Sequence, residues 1–319
     1  MRLPARNLAL LGIISALSAP AAAQPFVDVT TAAGLVYVHG YLQPLAAPDG
    51  SFDEARHFAG GVAAGDYDND GYVDIFASRG DIGPSLLFRN RGDGTFTEVG
   101  AAAGVDLVLN AAAGPVFADI DGDGWLDLFI GGVKGSGLLV LRNRGDGTFA
   151  DVTAMTGIDT TKDTYSAACG DFDGDGDLDL ALAHWATLLR DDESPADLWR
   201  NEGDFRFSDV SIAAGTAAAI RTSEFGFRID FSFTPSFSDI NADGWPDLLF
   251  AGDFNQSRVL LNDGAGRLID ATDLRVFTDE NAMGSAIGDY DNDGNLDWFV
   301  SSIWDPAGAT IENLSLIHI

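Results

Sequence analysis

Short apolar runs recur along the chain, separated by clusters of Gly, Asp and Asn. A small-residue run leads into each acidic cluster, as in Gly61-Val62-Ala63-Ala64 and Pro115-Val116-Phe117. A nearly continuous apolar run leaves it, as in Val73-Asp74-Ile75-Phe76-Ala77 and Leu126-Asp127-Leu128-Phe129-Ile130. Unbroken runs of this length predict strands covered on both faces. A third run, Leu86 to Asn90, ends in a Gly-Asp-Gly turn, and Asp-Gly between apolar runs signals a hairpin because the turn needs positive φ. The fourth strand is Thr95-Phe96-Thr97-Glu98-Val99. Four short strands in about 50 residues match one blade of a β-propeller. A coil of a parallel β-helix would repeat in far fewer residues.

The unit repeats. Asp66-Tyr-Asp68-Asn-Asp70-Gly71-Tyr-Val-Asp74 recurs from Asp119, Asp171, Asp239 and Asp289, with starts separated by 53, 52, 68 and 50 residues. Fixed-period similarity of this kind is the mark of a repeat architecture. The turn text Arg89-Asn90-Arg91-Gly92-Asp93-Gly94-Thr95-Phe96 returns as Arg142 to Phe149, with weaker copies at Leu198 to Asp204 and Leu260 to Gly264. The expected fold is an all-β propeller of four-stranded blades, about five in this chain. Phe26-Val27-Asp28-Val29-Thr30 matches the fourth-strand text of Phe149 to Thr153. A lone fourth strand at the start is expected to complete the C-terminal blade.

Composition narrows the function. The 319 residues carry a formal net charge of −31, and Lys occurs only at Lys134 and Lys162. Nucleic acid as a partner is excluded, because phosphate binding needs clustered Lys and Arg. Disorder is disfavoured by 46% hydrophobic residues. The single cysteine, Cys169, allows neither an intrachain disulfide nor a Cys-based zinc cluster.

The first 23 residues read as an address. Arg2 and Arg6 precede an apolar run, Leu8 to Leu17, and Ala21-Ala22-Ala23 offers a small-residue cleavage site. That is the order of a secretory signal peptide. The run is too short to span a bilayer. The expected mature domain is 24–319, placed outside the cytoplasm (secreted, periplasmic or at the cell surface) with no membrane insertion after cleavage.

The acidic loops present oxygen donors at alternate positions, as a hard divalent cation requires. Positions 1, 3, 5, 7 and 9 are Asp66, Asp68, Asp70, Tyr72 and Asp74 in the first loop, and Asp119, Asp121, Asp123, Trp125 and Asp127 in the second. They are Asp171, Asp173, Asp175, Asp177 and Asp179 in the third, and Asp239, Asn241, Asp243, Trp245 and Asp247 in the fourth. The fifth has Asp289, Asp291, Asp293, Asn295 and Asp297. Side chains act at 1, 3, 5 and 9, and the backbone carbonyl acts at 7. Gly at position 6 permits the sharp turn. A register starting at Asp173 would put Leu178 at 6 and Ala181 at 9, so the third loop starts at Asp171. An EF-hand would carry Glu at position 12, whereas Ala77 and Ile130 stand there. The expectation is about five Ca2+ ions, with the fourth site weakened by Asn241. Magnesium fits less well because it demands octahedral geometry.

With these residues in view, the loops and the Asn-x-Gly-Asp-Gly-Thr-Phe turns resemble FG-GAP/VCBS repeats, which also build the propeller of integrin α-subunits. The fuller text resembles bacterial relatives of cartilage acidic protein, the ASPIC/UnbV-type family. The matching stretches are Phe26 to Thr30 with Ala33-Gly34-Leu35, Gly60 to Ala63, Phe233 to Phe237, Met283 to Ala286 and Asp297 to Val300. The resemblance implies a secreted, calcium-bearing propeller, usually of seven blades, often followed by an ASPIC/UnbV domain. The segment Ala309 to Ile319 resembles no other repeat here, so a fragment or a mis-terminated reading frame is expected.

Other motifs carry less. Arg-Gly-Asp occurs at 79–81, 91–93 and 144–146. Two copies sit in the repeat's own turn, where Gly and Asp serve the backbone rather than adhesion. His39, His57 and His184 show no zinc or catalytic spacing, and Cys169 is expected in the core. Trp125, Trp245 and Trp298 adjoin the acidic loops, and packing is favoured over sugar stacking for them. The insertions Val36 to Phe58 and Ala217 to Phe233 are the better recognition surfaces, since loops on a rigid scaffold commonly bind. The leading expectation is a non-catalytic module that binds an extracellular protein or glycan. The alternatives are a secreted polysaccharide lyase or hydrolase, and a structural accessory to an ASPIC/UnbV domain.

Overall fold

The computed structural model describes residues 27–41, 59–108, 111–185, 187–188, 196–219, 229–276, 281–302 and 314–318. The signal-like segment 1–23, His57 and much of both insertions lie outside the described residues. The first sheet contains β1 (Val62–Gly65), β2 (Asp74–Ala77), β3 (Leu86–Asn90) and β4 (Phe96–Glu98), in that order. The second contains β5 (Ala112–Ala118), β6 (Asp127–Gly132), β7 (Leu139–Asn143) and β8 (Phe149–Asp151). The third contains β9 (Ser166–Gly170), β10 (Asp179–Ala183), β12 (Asp197–Asn201) and β13 (Phe207–Asp209), while the short β11 (Thr187–Leu188) pairs apart with β14 (Ile229–Asp230). The fourth contains β15 (Ser232–Ser238), β16 (Asp247–Gly252), β17 (Arg258–Asn262) and β18 (Leu268–Asp270). The fifth contains β19 (Ala282–Gly288), β20 (Asp297–Ser302) and β21 (Leu314–His318). All pairings within the sheets are antiparallel.

The sheets stack face to face in sequence order. Each second strand is an apolar run because both its faces are covered: β6 and β16 are buried throughout. Phe76 and Leu87 of the first sheet pack with Leu128, Ile130 and Phe149 of the second. Phe129 and Val140 then meet Leu180, Leu182 and Trp199 of the third. Leu198 and Ala181 meet Leu248, Phe250 and Leu260 of the fourth, and Leu249 and Val259 meet Trp298 and Val300 of the fifth. The first strands, β1, β5, β9, β15 and β19, neighbour one another in that order along the hub. This is a propeller arrangement, as the repeat pattern predicts.

Three findings depart from the four-strand reading. After the fourth strand, a helical turn ends in a left-handed glycine, as at Gly100–Ala103 with Gly104 and Thr153–Thr156 with Gly157. Each turn tucks against the next sheet: a Cβ on Gly104 would lie 3.7 Å from the Phe149 carbonyl, and one on Gly157 would lie 3.5 Å from that of Phe207. Second, Val27 to Thr30 forms no strand with the fifth sheet. Its following turn docks on the first sheet, with the Phe96 N–H donating to the Ala33 carbonyl at 2.8 Å. The segment therefore takes the place of a preceding unit's turn. Its Val29 is exposed, whereas Val99 and Val152 pack inside. Third, Leu314–His318 does resemble the repeats in position, pairing with β20 as a third strand, with His318 opposite Asp297.

The aromatic residues at loop position 7 serve packing. A Cβ on Gly145 would lie 2.9 Å from the Trp125 ring, and one on Gly264 would lie 2.6 Å from that of Trp245. Gly145 has φ +70° and Gly147 has φ +83°, but a Cβ on Gly147 would meet nothing within 4 Å. Gly147→Ala is therefore expected to cost ~1 kcal/mol, the left-handed backbone term alone. Gly145→Ala is expected to cost ~2–3 kcal/mol, because the ring must also move. Urea melts of the two variants separate these terms, and equal costs would contradict the ring contact.

Candidate metal centres

Each acidic loop joins the first strand of its sheet to the second, and the backbone itself organises the carboxylates. The position-6 N–H donates to the position-1 carboxylate in every loop: Gly71 to Asp66 at 2.8 Å, Gly124 to Asp119 at 2.9 Å and Gly176 to Asp171 at 3.1 Å. Gly244 donates to Asp239 at 2.9 Å, and Gly294 to Asp289 at 3.0 Å. These glycines have φ between +87° and +98°, the left-handed region that a side chain would strain. The position-7 residues Tyr72, Trp125, Asp177, Trp245 and Asn295 donate their N–H to the position-5 carboxylate.

Position 9 is the buried anchor. Asp74, Asp127, Asp179 and Asp247 are fully covered, and Asp297 nearly so. Asp127 accepts the Ile120 N–H at 3.0 Å on one oxygen and the Asn143 N–H at 2.8 Å on the other. Burial raises Asp74 to about 6 and Asp127 and Asp179 to about 7, against the lowering effect of these hydrogen bonds. Burial also pushes up Asp68, Asp121 and Asp173. A carboxylate raised in this way is short of positive charge.

Carboxylate oxygens of Asp66, Asp68 and Asp70 lie within 4.8 Å of one another. The same holds for Asp119, Asp121 and Asp127, for Asp171, Asp173 and Asp179, and for Asp289, Asp291 and Asp297. Asp74, Asp123, Asp175 and Asp293 lie outside these groups. Among the described residues the fourth loop brings no three acids together, and the Asn241 amide donates to Asp243 at 2.9 Å. Buried oxygens are left without a hydrogen-bond partner at Asp68 Oδ1, Asp119 Oδ1 and Asp121 Oδ1. A buried oxygen left without a partner is costly, so a hard cation fits this donor set.

Two partners were not legible as such in the sequence. Arg89 reaches Asp68 at 2.5 Å and Asp70 at 3.0 Å, and Arg142 reaches Asp121 at 2.8 Å and Asp123 at 3.1 Å. Arg200, in the equivalent place of the third sheet, turns instead to Glu202. The second partner is the asparagine that ends the third strand of each of the first four sheets. Its recurrence at Asn90, Asn143, Asn201 and Asn262 was the available signal.

The profile of the FG-GAP-like repeat matches residues 66–130, 119–182 and 239–300, covering all of the acidic loops. The chain belongs to the FG-GAP-like repeat family. Cartilage acidic protein 1 of Xenopus tropicalis is 33% identical over 122 residues, 38% of this chain and 18% of that protein. The Homo sapiens protein is 34% identical over 122 residues, with the same shares. The aligned part is thus under a fifth of the length of these curated relatives. Among solved structures, an Agrocybe aegerita lectin that recognises non-reducing terminal N-acetylglucosamine aligns with TM-score 0.44 and 21% identity over 76% of this chain and 60% of its own. The V. cholerae biofilm matrix protein Bap1 aligns with TM-score 0.44 and 16% identity over 82% of this chain and 37% of its own. Likeness at that level decides nothing about a ligand.

In this FG-GAP-like repeat chain the remaining motifs fall into place as structure. The Asp93 and Asp146 carboxylates of the two turn Arg-Gly-Asp sequences fold back onto Thr95 and Thr148 of their own turns. Cys169 packs against the core between the second and third sheets, where burial pushes its thiol up to about 12. His184 belongs to a buried network with Lys162 and Asp197.

Proposed function

We propose that the chain is a secreted, calcium-stabilised propeller that binds an extracellular protein or glycan and catalyses nothing. The observation that carries the calcium reading is the set of buried, unpartnered oxygens at Asp68, Asp119 and Asp121 inside repeated all-oxygen loops. Positions 1, 3, 5 and 9 with the position-7 carbonyl would hold each of about five ions, and the fourth site, with Asn241, would be the weakest. The signal-like first 23 residues support secretion.

The recognition surface is assigned to the end of the sheets opposite the acidic loops. Both insertions enter first strands, β1 and β15, at that end. Tyr41, Tyr165, Trp185, Phe231 and Phe233 pack with the buried Ala59 and Met283 as a core cluster, so the surface itself is left to the insertions. Calcium titration calorimetry tests the ion sites. A glycan array and a pull-down, each run with calcium and with chelator, test the partner. Calcium-dependent capture of one glycan or protein class is expected. Cleavage of a polysaccharide in a substrate panel would instead establish the lyase or hydrolase reading.

Arg142 supplies a finer test. A half-exposed guanidinium–carboxylate pair is worth ~0.2–1 kcal/mol, and the Arg142 charge opposes an incoming cation. Arg142→Leu is expected to tighten calcium binding at the second loop about threefold by calorimetry. Weaker binding would show that the arginine braces the cage.

A further inference from the structure

The repeated asparagines join neighbouring loops. Asn143 donates its side-chain amide to the Tyr67 carbonyl of the first loop at 2.8 Å, while its backbone N–H holds Asp127 of the second loop at 2.8 Å. Asn201 reaches back to the Ile120 carbonyl at 2.8 Å and holds Asp179 at 2.8 Å. Asn262 reaches back to the Phe172 carbonyl at 2.6 Å and holds Asp247 at 2.8 Å. The residue that each amide grips stands at loop position 2, and its own N–H is bonded to the position-9 carboxylate of that loop: Tyr67 to Asp74, Ile120 to Asp127 and Phe172 to Asp179. A continuous line therefore runs from Asp74 through Asn143 to Asp127, through Asn201 to Asp179, and through Asn262 to Asp247.

We propose that Asn143, Asn201 and Asn262 are positioning residues that couple cation binding between successive acidic loops, so that filling one loop tightens its neighbour. The inference rests on the calcium reading above. A cation at the third loop fixes Asp179, which fixes the Asn201 backbone. The Asn201 amide then holds the Ile120 carbonyl, and the N–H of the same residue orients Asp127 in the second loop. Part of the ordering cost of the second site is thereby met before its ion arrives. The third strand of the fifth sheet, Leu314–His318, carries no asparagine, so among the described residues no asparagine links the fifth loop to the fourth. Asn90 keeps its amide on the Val73 carbonyl of its own sheet, at 2.9 Å.

The test uses terbium alone as the probe, because a hard trivalent ion takes the same oxygen donors. Trp125 stands in the second loop, so the part of the tryptophan-sensitised emission lost in Trp125→Phe reports that loop. Asp173→Ala removes a third-loop donor and is expected to weaken terbium binding at the second loop at least fivefold, the lower range of ordinary site-to-site coupling. Asp291→Ala, the equivalent change in the fifth loop, is expected to leave it unchanged. In Asn201→Ala the effect of Asp173→Ala is expected to vanish, whereas a through-space charge effect would survive. The proposal is overturned if Asp173→Ala leaves the second loop unchanged, if Asp291→Ala acts equally, or if the dependence persists in Asn201→Ala. Should Asn201→Ala fail to fold, repeating the Asp173→Ala measurement in about 1 M salt decides, because a through-space charge effect is screened there and the hydrogen-bonded line is not. Absence of any Trp125-sensitised terbium signal would instead sink the calcium reading itself.

Discussion

Chelation of the calcium-loaded chain is expected to lower its melting temperature by roughly 10 °C or more. The loops hold 19 Asp and one Asn at the twenty side-chain positions assigned to ligands. The position-9 carboxylates are buried, and unpartnered oxygens remain at Asp68, Asp119 and Asp121. Without a cation, these charges repel one another and lack solvation. An ion that binds only the folded state stabilises it by ~2.7 kcal/mol per site at a hundred times its dissociation constant. Two such sites give ~5 kcal/mol, and for domains of 150–250 residues each kcal/mol moves the melting temperature by roughly 2–4 °C. Asp121→Asn in the second loop is expected to remove about one site's share of that shift, in scanning calorimetry with and without calcium. An identical melt in chelator and in calcium would refute cation stabilisation outright.

The acidic loops were legible because their spacing is local: alternate Asp, then Gly where only a left-handed residue fits. The sheets were legible because continuous apolar runs mark strands covered on both faces, and β6, β10 and β16 are buried throughout. What escaped was whatever depends on how one sheet sits against the next. Asn143 meets Tyr67 across 76 residues, and Asn262 meets Phe172 across 90. No local pattern contains that distance, although the recurrence of Asn at one place in each repeat hinted at a role. The helical turns escaped because Gly100 to Ala103 and Thr153 to Thr156 are too short for a helical period to show. The pairing of Val27 to Thr30 failed for a related reason. The likeness to a fourth strand assigned the segment to the C-terminal blade, whereas the turn that follows it docks on the first sheet, because the text of one strand does not specify which sheet it meets.

Replacing Asp197 is expected to cost ~3–5 kcal/mol, although the residue lies in no acidic loop. Its two oxygens take the Lys162 ammonium at 2.9 and 2.8 Å, and His184 Nε2 lies 3.2 Å from one of them. All three side chains are buried, and His184 Nδ1 is fixed by the Asp163 carbonyl at 2.8 Å. Removing one member of a buried charge pair leaves the other uncompensated, which sets that magnitude. The pH dependence has a definite sign. Burial alone would raise Asp197, but His184 and Lys162 outweigh it and hold the carboxyl below its usual value. Its contribution is therefore present above the ordinary carboxylate range and lost as pH falls through the folded value. Burial alone would lower His184, but Asp197, with help from Asp230, raises it. Its contribution is full below the unfolded histidine value of about 6.5 and fades as pH rises through the folded value. The network thus stabilises most between about pH 4 and 6.5. In Asp197→Asn the main attraction on the His184 proton is gone, so the stability gap between parent and variant should widen as pH falls from about 8 to 6. Urea unfolding at both pH values measures that gap. A gap that is constant, or that narrows on acidification, would mean that His184 stays neutral and that Lys162 alone answers Asp197.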